Sequence, residues 1–170
     1  HFTEHIEDDK ITVYDPSSGW GGRILGAMCT DRELHYVGTD PNPDNVGIYE
    51  SVAEYYNTHC FQSNPFWGKD KPNTYEVFQD GSEVISDNPK FEKYKNSFDF
   101  VFTSPPYFNR EQYSQDENQS FKKFSAYEDW RDNFLKPTLT TAYKMLKDDR
   151  YICWTIADIK VGSDKFIPLE

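Results

Sequence analysis

An apolar run that ends abruptly in two prolines constrains the fold of this chain more than any other segment. Residues 98–103, Phe-Asp-Phe-Val-Phe-Thr, carry too many apolar side chains for a strand with one solvent-exposed face, so they predict a central strand. Pro105 and Pro106 then fix φ and remove two backbone donors, and the chain must leave the sheet in an extended turn. This turn presents a hydroxyl, a carbonyl oxygen and the Tyr107 ring at the carboxyl end of the strand, where open α/β sheets bind ligands.

A strand–turn–helix pattern lies near the start of the chain. Residues 11–15 predict a strand, residues 16–22 form a glycine-rich turn, and residues 23–28 predict the start of a helix. Glycines permit positive φ and let a ligand approach the backbone closely. The next predicted strand, residues 35–40, ends at Asp40, roughly 20 residues after the turn, the spacing at which nucleotide-binding folds place a carboxylate on ribose hydroxyls.

Together these segments resemble the amino-methyltransferases of DNA, which methylate adenine N6 or cytosine N4 with S-adenosylmethionine. The resemblance is carried by residues 15–22 as the cofactor loop, Asp40 as the ribose acid and residues 103–107 as the catalytic loop, with weaker matches at 80–82 and 151–155. Ser17 departs from the pattern, because many relatives carry Phe there. The resemblance implies an α/β, Rossmann-like methyltransferase fold with a doubly wound, mostly parallel sheet.

The resemblance also implies a cofactor site. Its predicted residues are Asp15, Ser17, Gly19, Trp20, Gly21, Asp40, Pro41, Asp80 and Gly81. Asp15 is expected to accept from turn amides or from the cofactor's amino group, and Asp40 from both ribose hydroxyls. Asp80 is expected to accept from the cofactor's adenine N6, although an ordinary Asp-Gly turn explains that residue almost as well. Trp20 is expected either to cover the cofactor or to pack in the core.

The predicted catalytic residues are Ser104, Pro105, Pro106 and Tyr107. An exocyclic amine is a poor nucleophile because its lone pair is delocalised into the base. We expect Ser104 Oγ and the Pro105 carbonyl to accept hydrogen bonds from the amino hydrogens and to offset the developing positive charge. Tyr107 is expected to stack on a base rotated out of the duplex. Serine in the first position slightly favours cytosine N4 over adenine N6.

The charge balance argues against a basic surface that binds nucleic acid. The net charge is −11, whereas proteins that bind nucleic acid usually neutralise phosphates with basic side chains. The basic residues near the catalytic motif in the sequence are Lys90, Lys93, Lys95, Arg110, Lys122 and Lys123. We expect duplex DNA as the substrate, with most of the DNA-binding residues outside this chain. An amine on RNA, protein or a small molecule is the alternative, and a non-enzymatic relative that binds nucleic acid or a partner subunit is the third.

The length of 170 residues predicts one catalytic domain, residues 1–170. The strands evident in the pattern are fewer than the resembled enzymes need, so we expect an incomplete C-terminus and little or no target-recognition region. Three scattered cysteines and four histidines lack ligand spacing, which predicts no metal site. We expect a cytoplasmic protein of a bacterium or phage, with a cognate restriction endonuclease as partner if it serves a modification system.

The remaining pattern predicts the other elements. They are a helix tail at 2–6, a helix at 46–58, a loop at 61–73, a strand at 74–79, an irregular segment at 85–94, a polar lid or disordered stretch at 108–125, a helix at 126–146, a turn at 147–150 and a strand at 151–157. Pro137 is expected to kink the helix at 126–146 or to split it.

Overall fold

Five parallel strands form the central sheet, and their order places the predicted loops side by side. The computed structural model describes residues 3–56, 58–59, 72–108 and 117–166. The strands are β1 (Lys10–Asp15), β2 (Glu33–Thr39), β3 (Thr74–Phe78), β4 (Phe98–Thr103) and β5 (Leu146–Trp154). Their order is β3-β2-β1-β4-β5, and each neighbouring pair is parallel. The chain changes direction across the sheet between β1 and β4, the kind of switch point where open α/β sheets bind ligands.

Helices cover both faces of this sheet. They are α1 (Gly22–Cys29), α2 (Val46–Tyr56), α3 (Ser120–Lys123), α4 (Tyr127–Trp130) and α5 (Lys136–Met145). The cluster under α1 and α2 includes Ile11, Ile24, Met28, Leu34 and Tyr49. The cluster under α5 includes Tyr14, Val37, Val101, Ala142 and Met145. Because successive strand residues point to opposite faces, one run of apolar residues supplies both clusters.

The strands predicted from the apolar runs are confirmed. Those expected at 11–15, 35–40, 74–79 and 98–103 each coincide with an observed strand, with small shifts at the ends. The apolar content of these runs is what a parallel sheet covered on both faces requires. The predicted doubly wound, mostly parallel architecture therefore holds for the described residues.

The turn predicted at 147–150 is wrong, because β5 already begins at Leu146. Phe98 pairs with Leu146 and Phe100 with Tyr151, so the β5 side holds extra residues that bulge out, and Asp149 has a positive φ of 55° there. Lys147 and Arg150 both reach the buried carboxylate of Asp99 on β4, Lys147 at 2.7 Å. These ion pairs hold a polar segment in the sheet that its composition alone would assign to a turn.

The long helix predicted at 126–146 is split, as expected from Pro137. A π-helical segment, Arg131–Leu135, separates α4 from α5, and Pro137 occupies the second position of α5. The Lys136 amide bonds to the Arg131 carbonyl five residues earlier. Because proline has no amide hydrogen and crowds the preceding turn, the regular i→i−4 pattern is interrupted at this point.

Other expectations met different outcomes. Residues 3–5 form a turn rather than the tail of a helix, and the guanidinium of Arg32 holds this segment by its Thr3 and Ile6 carbonyls. The helix expected at 46–58 ends at Tyr56. Most of the loop expected at 61–73 and the middle of the polar stretch at 108–125 lie outside the described residues. A two-stranded antiparallel hairpin, β6 (Ile159–Val161) and β7 (Asp164–Phe166), was not predicted.

Candidate active site

A cavity of about 320 Å³ opens at the carboxyl ends of the central strands. The predicted site residues that line it are Ser17, Gly19, Trp20, Asp40, Pro41, Gly81, Ser104 and Pro106. The cavity lining does not include Asp15, Gly21, Asp80, Pro105 or Tyr107. The glycine-rich loop, the acid that ends β2 and the serine–proline corner therefore share one cavity, although they are far apart in sequence.

The glycine-rich loop folds as its glycines predict. Gly19 and Gly21 have φ values of +58° and +84°, in the left-handed region that strains other residues. The Ser18 amide donates to the Thr39 carbonyl at 2.9 Å, which draws the loop over the end of β2. A side chain at Gly38 would overlap Ser18 Oγ, so Gly38 allows this close approach. The role of Gly38 has no signal in the sequence, because it depends on a contact between distant segments.

Asp15 is the buried centre of the hydrogen bonds beneath this loop. Its Oδ1 accepts from the Ser17 amide at 3.2 Å and from Thr103 Oγ1 at 2.8 Å, and its Oδ2 from Arg23 Nε and Tyr36 OH, both at 2.6 Å. As predicted, Asp15 serves a backbone amide of the turn. A carboxylate has about four lone-pair positions, so these four donors leave none for the cofactor's amino group.

The ion pair between Arg23 and Asp15 is partly shielded from water. Burial opposes the charge of Arg23, but the attraction of the Asp15 carboxylate outweighs burial and raises the pKa of the guanidinium. The Thr103 hydroxyl joins the end of β4 to the same carboxylate. The sequence pattern placed Thr103 in the catalytic loop but gave its side chain no role. Through this bond, the catalytic loop and the glycine-rich loop both depend on the Asp15 side chain.

Asp40 lines the cavity but is already well supplied with donors. Its Oδ2 accepts from Tyr49 OH at 2.6 Å and from Asn45 Nδ2 at 3.1 Å, and its Oδ1 accepts from the Asn42 amide at 2.8 Å. The Tyr49 hydroxyl also lies 2.5 Å from the Gly19 carbonyl. The hydroxyl has one proton and can donate it to only one of these two acceptors. When it donates to the Gly19 carbonyl, the position on Asp40 that it would otherwise occupy is free for a ligand hydroxyl. Burial and then the hydrogen bond to Asp40 raise the pKa of Tyr49, so the hydroxyl keeps its proton.

The turn after β3 contributes a different residue from the one expected. Asp80 accepts from Asn88 Nδ2 at 2.7 Å and lies outside the cavity lining, which agrees with the alternative of a structural turn. Gly81 lines the cavity, as does the carboxylate of Glu83, whose side chain is only 6% exposed and pairs with Lys123 at 2.8 Å. Glu83 was missed because an acid after an Asp-Gly turn has no signature of its own.

The serine–proline corner keeps its backbone rigid and its hydroxyl accessible. Ser104 and Pro106 line the cavity, and Pro105 is buried. Ser104 Oγ lies 3.2 Å from the Tyr107 hydroxyl, which donates to the Thr155 carbonyl at 3.4 Å. Phe108 follows with a positive φ of 45° and packs in a buried cluster with Tyr127, Trp130 and Phe134. Through Phe108, this buried cluster holds the end of the catalytic loop in place.

The structure rules out one of the two positions expected for Trp20. Trp20 is 65% exposed at the rim of the cavity, so it does not pack in the core.

Lys93 and Lys95 directly precede β4, so they lie at its amino end, about 20 Å from the catalytic loop for a strand of this length. The lysines nearer the cavity, Lys122 and Lys123, form ion pairs with Glu117 and Glu83. Arg110 lies outside the described residues.

Comparisons with known proteins agree with the resemblance seen in the motifs. A family model described as DNA methylase matches residues 98–167, the segment that contains the serine–proline corner and β5. No curated protein sequence matches the chain. The recognition of this family from the sequence is therefore confirmed for the part of the chain that the model covers.

Solved structures show the fold. An arsenic(III) S-adenosylmethionine methyltransferase from Chlamydomonas reinhardtii is similar with a TM-score of 0.53 and 17% identity, over 85% of this chain and 38% of that one. A mycolic acid cyclopropane synthase crystallised with SAH (TM-score 0.45, 12% identity) and a cyclopropane synthase from Mycobacterium tuberculosis (0.43, 15%) each cover 86% of this chain and 36% of theirs. The similarity to the first of these structures and the parallel sheet show a Rossmann-like fold, and the chain spans well under half the length of these proteins.

Proposed function

We propose that this protein transfers a methyl group from S-adenosylmethionine to the exocyclic amine of a base in DNA. The observation that carries the proposal is the shared cavity, because Gly19 of the glycine-rich loop and Ser104 of the serine–proline corner line the same space. Direct transfer requires the methyl carbon and the amine nitrogen to meet at about 3–3.5 Å, which only adjoining subsites allow. The match of residues 98–167 to the DNA methylase model supports DNA as the source of the amine.

The cavity suits S-adenosylmethionine in each of its parts. Gly19 gives the methionine end access to the backbone, and α1 presents its amino terminus directly after the loop. Asp40 accepts from the ribose hydroxyls, and it has a free acceptor position for them when the Tyr49 hydroxyl donates to the Gly19 carbonyl instead. The adenine lies towards Gly81 and the turn after β3. Carboxylates in this cavity favour a cofactor that carries sulfonium and ammonium charges.

The transfer is an in-line displacement in which the N–C bond forms as the C–S bond breaks. The electron pair of that bond goes to sulfur and gives S-adenosylhomocysteine, and the methylated amine releases a proton to solvent. Ser104 Oγ and the Pro105 carbonyl accept from the amino hydrogens and offset the positive charge that develops on nitrogen. Tyr107 stacks on the base, which must leave the duplex because pairing otherwise holds its amine. Serine at position 104 slightly favours cytosine N4 over adenine N6.

One observation favours a second substrate class. The net charge is −11, and the described lysines nearer the cavity, Lys122 and Lys123, are each paired with an acid rather than left to hold a phosphate backbone. An amine on RNA, a protein or a small molecule is therefore the second candidate.

Among the described helices, none is long and apolar enough to cross a bilayer. A bacterial or phage cytoplasm and a cognate restriction endonuclease fit the DNA candidate.

Methyl transfer from radiolabelled S-adenosylmethionine tests these candidates directly. The full-length protein is incubated with duplex DNA, RNA or a protein extract, and the labelled nucleosides are identified. We expect N4-methylcytosine in DNA and loss of label with Ser104→Ala. N6-methyladenine in DNA would keep the chemistry and change the base. Label only in RNA or protein would favour the second candidate, and cofactor binding without transfer to DNA, RNA, protein or the small-molecule fraction of a cell extract would indicate a non-enzymatic relative.

A further inference from the structure

One wall of the cavity comes from a segment that belongs to none of the sequence motifs. Gln119 and Ser120, at the start of α3, line the same cavity as the glycine-rich loop. Both side chains are almost buried, with 7% and 8% of their surface exposed. Within the part of the chain that the structure describes, neither side chain has a hydrogen-bond partner. Two polar groups thus face the cavity with their hydrogen-bonding capacity unused.

The conformation of Gln119 makes this arrangement informative. Gln119 occupies the N-cap position of α3, where a polar side chain commonly accepts from a free amide of the first turn. Its side chain makes no such bond. Although Gln119 is only 7% exposed, its polar atoms are not among the fully buried, unpaired ones, so a ligand in the cavity can reach the amide and pair with it.

The place of α3 indicates which part of a ligand this wall meets. Lys123, in the last turn of α3, pairs with Glu83 at 2.8 Å, and Glu83 follows Gly81 at the carboxyl end of β3. Phe134 lines the same side and packs against Phe124, the residue after α3. The wall therefore adjoins the turn after β3, which is the adenine end of the cavity under the proposed function.

We infer that Gln119, assisted by Ser120, hydrogen-bonds the adenine ring of the cofactor; this rests on the proposed function. A carboxamide offers both a donor and an acceptor, and an adenine edge offers ring nitrogens that accept and an exocyclic amine that donates. Gln119 and Ser120 are themselves uncharged, as suits an uncharged base, and the neighbouring Glu83 carboxylate is already paired with Lys123. Gln119 is thus a cofactor-contacting residue that the loop motifs do not include.

Calorimetry with S-adenosylhomocysteine and with adenosine tests the inference. Gln119→Met keeps the side-chain volume but cannot form these bonds, and Gln119→Ala removes the amide altogether. We expect each variant to bind both probes about fivefold to tenfold more weakly than the unmodified protein, the loss typical of one or two neutral hydrogen bonds. Ser120→Ala should lose several-fold. The matched control is Asn133→Ala, which removes an exposed amide outside the cavity and should leave both affinities unchanged.

Steady-state kinetics separate this contact from one to the substrate. We expect the Gln119 variants to raise KM for S-adenosylmethionine while kcat and KM for the methyl acceptor stay near their unmodified values. Unchanged affinity for both probes in Gln119→Met would overturn the inference, as would a rise confined to KM for the acceptor. If the unmodified protein bound neither probe, the proposed function itself would fall and the inference with it, a result distinct from a defect confined to the variants.

Discussion

Asp15 shows at the scale of one residue how a buried carboxylate can hold together the segments around a cavity. Its four donors come from the loop, from α1, from β2 and from β4, so one side chain fixes the relative positions of four segments. Its role could be predicted only in part. An Asp before a glycine-rich turn suggested a bond to the turn, but the contacts with Tyr36 and Thr103 depend on strands that meet only in the folded sheet.

Asp15→Asn should destabilise the fold substantially. The amide keeps the shape, but it places an NH₂ group against donors and leaves the charge of Arg23 without its carboxylate. We expect the free energy of unfolding to fall by about 2–3 kcal/mol, the range for hydrogen bonds to a charged group. Urea denaturation measures the change. Asp132→Asn is the control, because Asp132 forms only exposed ion pairs and its loss should leave the midpoint almost unmoved; equal effects of the two changes would contradict the role.

Asp40→Ala should weaken cofactor binding severely. The change removes the acceptor for ribose hydroxyls and also frees Tyr49 and Asn45 from their carboxylate. We expect affinity for S-adenosylmethionine to fall by about tenfold to a hundredfold, as for the loss of hydrogen bonds to a charged group. Calorimetry provides the measurement. Tyr49→Phe, which keeps the carboxylate, should lose much less, and normal binding by Asp40→Ala would remove Asp40 from the site.

Tyr107→Ala should weaken capture of the target base while cofactor binding stays close to normal. Stacking of a base on an aromatic ring contributes about 1–3 kcal/mol, so KM for DNA is expected to rise about tenfold. Tyr107→Phe keeps the ring and loses only the hydroxyl that contacts Ser104 and Thr155. It should retain most of the base affinity. Equal losses of cofactor and DNA affinity in the alanine variant would count against stacking.

At the scale of elements, strands with a strong apolar signal were predictable and those held by ion pairs were not. β1, β2 and β4 can be recognised from the sequence, because strands that are covered on both faces have nearly continuous apolar runs. The polar start of β5 looks like a turn, since its strand conformation depends on the bonds of Lys147 and Arg150 to Asp99. The position of α3 beside the cavity was equally hidden, because it depends on contacts such as that of Lys123 with Glu83.

The edge between β2 and β3 carries a network whose strength depends on pH. His35 Nε2 and Nδ1 lie 2.8 Å from Tyr94 OH and Thr74 Oγ1, and Tyr94 donates to Glu76, which also pairs with Lys93. Burial, and then the nearby charge of Lys10, lowers the pKa of His35. Burial opposes the charge of Glu76, but hydrogen bonds from Lys93 and Tyr94 outweigh it and lower the pKa of that carboxyl.

Stability should therefore fall as the pH drops below the ordinary pKa of histidine. A lowered pKa means that the folded state binds fewer protons than the unfolded state, so the stabilisation from neutral His35 is present at high pH and is lost on acidification. We expect the urea midpoint to fall between about pH 7.5 and about pH 5.5, around the ordinary histidine pKa. His35→Gln should reduce that fall, because the loss from Glu76 occurs at lower pH. A fall of the same size in the variant would show that His35 does not contribute.

At the scale of the whole molecule, the topology brings together residues that are distant in sequence. The parallel order β3-β2-β1-β4-β5 carries the loops after β1, β2, β3 and β4 to one edge of the sheet, where they surround a single cavity. This arrangement could be predicted from the motifs, because each follows a predicted strand. The size of the cavity and the wall from α3 could not, since both depend on how the helices pack.

The account depends on that cavity holding the cofactor with its sulfur towards Ser104. A crystal structure of the full-length protein with S-adenosylhomocysteine measures this arrangement directly. We predict that the ligand spans the cavity from Gly19 to Gly81, with its sulfur facing the Ser104–Pro105 corner across a gap that fits one methyl group and one amine. A sulfur atom directed away from Ser104, or a ligand bound in another part of the molecule, would contradict the account.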